Sequence, residues 1–161
     1  MNYLIKNISK SNYKGYIWYV LRLYGKNIKI NPENTFDLLF ISFFDEKSFN
    51  LLKSKIKTIN DIAYLENENN GNYFISHIEL NAWLLKLLSE KREKDLSLKV
   101  LKYLLLNKWY STKDKARAII ALLNFSDLKL KNLKTIEKII INKENVNNGI
   151  SIEKTLYKNY P

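Results

Sequence analysis

At 161 residues, with 46% hydrophobic and 13% aromatic side chains, the chain is long and apolar enough to bury a core, which excludes an intrinsically disordered protein. It has no cysteine and a single histidine, which excludes thiol chemistry, disulfides and thiolate metal sites and suits a reducing, cytosolic setting. The formal charge is +11, but of 27 basic residues only Arg22, Arg92 and Arg117 are arginine, leaving 27 − 3 = 24 lysines, a bias that AT-rich coding explains as readily as phosphate binding.

No apolar run reaches the roughly 18 to 20 residues that cross a bilayer, and Met1 to Lys10 has no apolar core of a signal peptide, so no membrane partner is expected. The run from Tyr16 to Leu23 is rich in aromatic and β-branched residues and predicts a strand. Tyr24-Gly25-Lys26-Asn27 then predicts a hairpin turn into Ile28-Lys29-Ile30, and the apolar stretch Phe36 to Phe44 predicts a central strand. Asp45 can cap a short helix from Glu46 to about Lys55, with Phe49, Leu52 and Ile56 on one stripe. Asn70-Gly71, the preferred pair for a type I′ turn, predicts a second hairpin between residues 62–68 and 72–76.

Ser76-His77-Ile78-Glu79 has the spacing of a capping box and opens a helical half. Helix starts are expected near Ser76, Lys94, Ser111 and Asp127, with short connections favouring antiparallel neighbours. The third helix carries the clean apolar stripe Ala116, Ile119, Ile120, Leu123, expected to face the core, and the fourth carries Leu130, Leu133, Ile136, Ile140. Residues 82–108 and 118–143 echo each other with 7 identities over 26 aligned positions, as two copies of one helical hairpin would.

The expected fold is therefore α+β: an N-terminal mixed or antiparallel sheet with one short helix over 1–75, then about four short antiparallel helices in two hairpin-like repeats over 76–161, sharing one core. Charge follows the same division, because residues 1–80 carry 10 basic against 8 acidic side chains and residues 81–161 carry 17 against 8.

Chemistry is sparse. His77 alone cannot build a metal site, and Glu66, Glu68 and Asn70 lack the pattern of a calcium loop, so no metal or cofactor is expected. Gly15, Gly25, Gly71 and Gly149 are too far apart for a phosphate-binding loop. A hydrolytic carboxylate pair could assemble only in space, from Asp37, Asp45, Glu46 or Asp61.

These features point to a non-enzymatic, cytoplasmic interaction protein that docks on an acidic macromolecular partner, as an immunity-type inhibitor or accessory subunit does. The candidate contacts are Lys86, Lys91, Arg92, Lys94, Lys99, Lys102, Lys113, Lys115 and Arg117. Trp109 and Tyr110, at a helix junction, are either an exposed anchor for the partner or a clamp between hairpins. The alternative partner is nucleic acid, held by the same cations and by Tyr16, Trp18, Arg22 and Tyr24 if these alternate onto one open face of a strand rather than a face covered by helices.

Overall fold

A computed structural model describes residues 2–8, 11–67 and 75–130. They form seven helices and one small hairpin. In chain order these are α1 (Asn2–Asn7), α2 (Lys14–Leu23), α3 (Thr35–Ile41), α4 (Glu46–Lys55), β1 (Lys57–Ile59), β2 (Ile62–Tyr64), α5 (His77–Glu90), α6 (Lys94–Leu106) and α7 (Thr112–Leu130). The expected N-terminal sheet is absent from the described residues, and the α+β assignment is corrected to a mostly helical fold.

The reason lies in burial. In α2 the side chains of Trp18, Tyr19 and Leu21 are buried, and in α3 every residue from Thr35 to Ile41 is. A helix covered on all sides loses the polar stripe that distinguishes it from a buried strand, so the apolar runs that suggested β structure are equally good core helices. Aromatic spacing carries the helical signal instead: Phe36, Phe40 and Phe43 recur at i+4 and i+3, and the rings of Phe40 and Phe43 meet Tyr16, Tyr19 and Trp83 in edge-on and tilted contacts 4.9 to 6.3 Å between centroids.

Gly25 ends α2 and does not turn a hairpin. Its φ of +72° suits a residue without a Cβ, and the Lys26 amide donates back to the Leu21 carbonyl at 2.9 Å. Ile28 and Ile30 then lie against α2 through side chains, pinned where the Trp18 indole N–H donates to the Ile28 carbonyl at 2.6 Å and the Arg22 guanidinium donates to Asn27 Oδ1 at 2.8 Å. Gly15 allows α2 and α3 to touch: its amide, left without a partner in the helix's first turn, donates to Asp37 Oδ1 at 2.7 Å. Asp37 is buried, and loss of solvation pushes its carboxyl above the ordinary carboxylate value against the lowering effect of that hydrogen bond.

The short helix capped by Asp45 forms as expected: its carboxylate accepts from the Ser48 amide at 2.7 Å, and Phe49 and Leu52 are buried. The one described hairpin pairs Lys57 with Tyr64 and Ile59 with Ile62 across Asn60-Asp61, where Asn60 takes φ +54°. Its second strand pairs with the one before it in sequence; the Asn70-Gly71 turn of the second expected hairpin and residues 72–74 lie outside the described residues. Past the strand, Asn81 completes the edge with a side chain: buried in α5, it accepts from the Leu65 amide at 2.8 Å and donates to the Leu65 carbonyl at 3.1 Å and the His77 carbonyl at 2.9 Å.

Ser76 caps α5 by accepting from the Glu79 amide at 2.9 Å, and helix starts at Lys94 and next to Ser111 also form as expected. Between α5 and α6, Arg92 sits at φ +60° while the Glu93 amide donates to the Leu88 carbonyl, a helix stop normally given to glycine. The start expected near Asp127 does not form, because α7 runs through it to Leu130. The rest of the proposed fourth helix, and half of the second copy of the echo, lie outside the described residues.

The α6–α7 corner as candidate interface

The N-termini of α5 and α7 are locked together by side chains from two similar boxes. Ser111 accepts from the Asp114 amide at 3.0 Å and the Asp114 carboxylate accepts from the Ser111 amide at 3.3 Å, so this box closes on itself. The box beginning at Ser76 does not close: its hydroxyl donates across to Asp114, and Glu79 pairs with α7. Glu79 is buried, with Oε2 2.6 Å from Lys113 Nζ and Oε1 3.7 Å from Arg117 Nε. The Arg117 guanidinium also lies 5.0 Å from the centre of the Trp83 ring. Contacts advance together along both helices, from Ser76–Asp114 to Glu79–Arg117 to Trp83–Arg117, so α5 and α7 run parallel, with α6 returning between their ends.

Small residues govern this packing. Among the α7 residues whose burial is described, Asp114, Ala118 and Ala121 are buried and let the helix approach α5 closely. The stripe expected to face the core faces outward instead: Ile119 is 45% exposed, Ile120 48% and Leu123 58%, and Ala116 is exposed beside them. This correction exchanges one face of α7 for another.

The cations named from sequence do not form one patch. Lys86, Lys91, Arg92 and Lys94 gather at the α5–α6 turn, whereas Lys113, Lys115 and Arg117 gather at the start of α7. The 13 residues of α6 separate the two groups by about 20 Å at a 1.5 Å rise per residue. Several are engaged internally: Lys86 with Glu90 and over the Phe43 ring, Lys91 with Glu46 at 3.0 Å, and Lys102 with Asp61. Lys99, near the same hairpin, adds to the positive surroundings of Asp61, whose carboxyl is held below its ordinary value chiefly by its hydrogen bond to Lys102. Arg92, Lys94 and Lys115 are exposed.

Trp109 and Tyr110 differ in their surroundings. The Trp109 indole N–H donates to the Leu104 carbonyl at 2.8 Å and its ring packs on the core, as a clamp does. Tyr110 is 83% exposed.

The face expected to stack bases is absent. On a helix, Tyr16 packs on Phe40 and Trp83, Trp18 is buried, and Arg22 lies between the Trp18 and Phe44 rings at 5.7 and 5.5 Å. Only Tyr24 of the four is exposed, because a 100° step per residue does not align positions 16, 18, 22 and 24.

The four candidate acids do not converge either: Asp37 binds backbone amides, Asp45 caps α4, Glu46 pairs with Lys91, and Asp61 pairs with Lys102. Among the described residues no group of three or more His, Asp or Glu side chains is placed to hold a metal ion. None of the described helices is long and apolar enough to cross a membrane.

Comparison with known proteins returns no match: no family model, curated protein or solved structure is similar to this chain.

Proposed function

We propose that this chain is a non-enzymatic, cytosolic interaction protein that binds an acidic macromolecular partner at the α6–α7 corner. The observation that carries the reading is Tyr110, exposed to 83% on a connection whose neighbour Trp109 is anchored, with Lys108, Lys113 and Lys115 close in sequence on either side. An exposed aromatic ring on an anchored connection has the composition of an interface anchor, and the cations near it in sequence favour an acidic partner. The absence of cysteine supports the cytosolic setting.

A photo-crosslinking residue placed at position 110 tests this in nuclease-treated native lysate. One acidic protein should be captured, and the yield should fall as salt rises. The same probe at exposed Leu51 on α4 serves as the control. Capture of nothing, or equal capture from both positions, refutes the reading. Steep, log-linear loss of oligonucleotide binding with salt, without protein capture, would instead assign the surface to nucleic acid.

A further inference from the structure

We infer that the acidic partner engages this protein through an amphipathic helix laid along the outer face of α7. The inference rests on the acidic-partner reading and adds the partner's structural class and its seat. Ala116, Ile119, Ile120 and Leu123 follow i, i+3, i+4, i+7 spacing, so they form one stripe about 10 Å long at the helical rise. Each is exposed, although isoleucine and leucine at these positions gain nothing from water. The opposite face of α7, through Asp114, Ala118 and Ala121, is already buried. A helical partner presenting its own apolar residues at the same spacing fits such a stripe.

Charge selects among the helices that could lie there. At 100° per residue, Lys115 borders the stripe on one side and Lys113 and Arg117 border it on the other. Glu79 neutralises part of the second edge from below, and Lys115 is exposed on the first. A second copy of the chain would bring the same three cations against themselves. The residues after Leu130 carry Lys131, Lys134, Lys138, Lys143, Lys154 and Lys158 against Glu137, Glu144 and Glu153, so they too are basic. A helix whose apolar stripe is bordered by aspartate or glutamate gains an attractive contact at the Lys115 edge and at the positive charge that Glu79 leaves on the other.

The test uses the full chain and two fluorescein-labelled 18-residue peptides, each with leucine at i, i+3, i+4 and i+7 repeats. One has glutamate at the remaining positions and the other lysine. Fluorescence anisotropy should show binding of the acidic peptide, weakened by salt, and none of the basic one. Ile119→Ser with Leu123→Ser should weaken binding about tenfold or more, and because both side chains are exposed the fold should survive, which circular dichroism checks. Equal binding of the two peptides, or no effect of the double substitution, overturns the inference.

Two further outcomes do the same by naming another occupant. Binding that appears only after Leu133→Ser, Ile136→Ser and Ile140→Ser would mean the chain's own C-terminal residues hold the face. A concentration-dependent dimer abolished by Ile120→Ser would mean that a second copy does. If the Tyr110 probe captures an acidic protein equally well with the α7 substitutions in place, the inference fails and the functional reading stands; if it captures nothing, both fail.

Discussion

Replacing Gly15 by alanine should destabilise the protein by about 3 kcal/mol, although the substitution raises intrinsic helix propensity by up to about 1 kcal/mol. A Cβ built there lies 2.9 Å from both the carbonyl oxygen and Oδ1 of Asp37, and closer still to Asp37 Cα. The obstacle is largely backbone, so no rotamer change can relieve it and α2 must move off α3. Forcing an extra carbon into a filled contact costs about 1–3 kcal/mol. Separating the helices also strains the 2.7 Å bond from the Gly15 amide to a buried carboxylate, and leaving such an acceptor short of a donor costs about 1–3 kcal/mol more. The two costs exceed the gain in propensity. For a chain of this size each kcal/mol moves the melting temperature by about 2–4 °C, so G15A should melt about 6–12 °C below the parent by differential scanning calorimetry. Gly25→Ala is the contrast: a Cβ there meets nothing within 4 Å, and the φ of +72° alone costs about 1–2 kcal/mol. A G15A protein as stable as the parent would refute the argument that close approach of α2 and α3 holds this end of the fold together.

Asn81→Ala should cost about 2–4 kcal/mol in urea unfolding, because it strips partners from both the amide and the carbonyl of buried Leu65; a loss under about 1 kcal/mol would show that water or another donor replaces them. Asp37 should leave a mark on acid stability opposite to that of an ordinary ion-paired carboxylate. Burial raises its folded pKa above 3.8, so the folded state binds the extra proton, and stability present below pH 3.8 is lost as pH rises through the raised folded value. Asp37→Asn removes that proton, so the stability of the variant relative to the parent should climb across this window and level off above it; a difference that is flat or falls with pH refutes the assignment. Asp45 has the reverse sign: its hydrogen bonds from Ser48 lower its pKa, so the stability it adds is present above pH 3.8 and lost as pH falls through the depressed folded value, a loss that Asp45→Ala should abolish.

The residues best read from sequence are those whose structure is decided within one turn of chain. Asp45, Ser76 and Ser111 each place a short oxygen three residues before an amide that needs an acceptor, and all three open helices. The residues misread are those whose surroundings come from elsewhere. Tyr16 to Leu23 and Phe36 to Phe44 look alike as strand or helix because tertiary contacts remove the alternation of wet and dry that distinguishes them. The candidate site divides in the same way. Trp109 and Tyr110 were visible as a pair at a junction, but the Leu104 carbonyl that makes one a clamp and leaves the other exposed is a contact in space.

By itself the sequence determined that helices open beside Asp45, Ser76, Lys94 and Ser111, that the chain is basic toward its C-terminal half, and that α7 carries an apolar stripe at helical spacing. Only the tertiary structure decided which way that helix turns. Hydrophobicity alone would bury Ile119, Ile120 and Leu123, yet the helix presents Asp114, Ala118 and Ala121 to α5, because Asp114 is claimed by Ser76, Glu79 draws Lys113 and Arg117, and small side chains let the two helices meet. Periodicity along a helix defines its faces; which face is buried depends on the side chains of its neighbour.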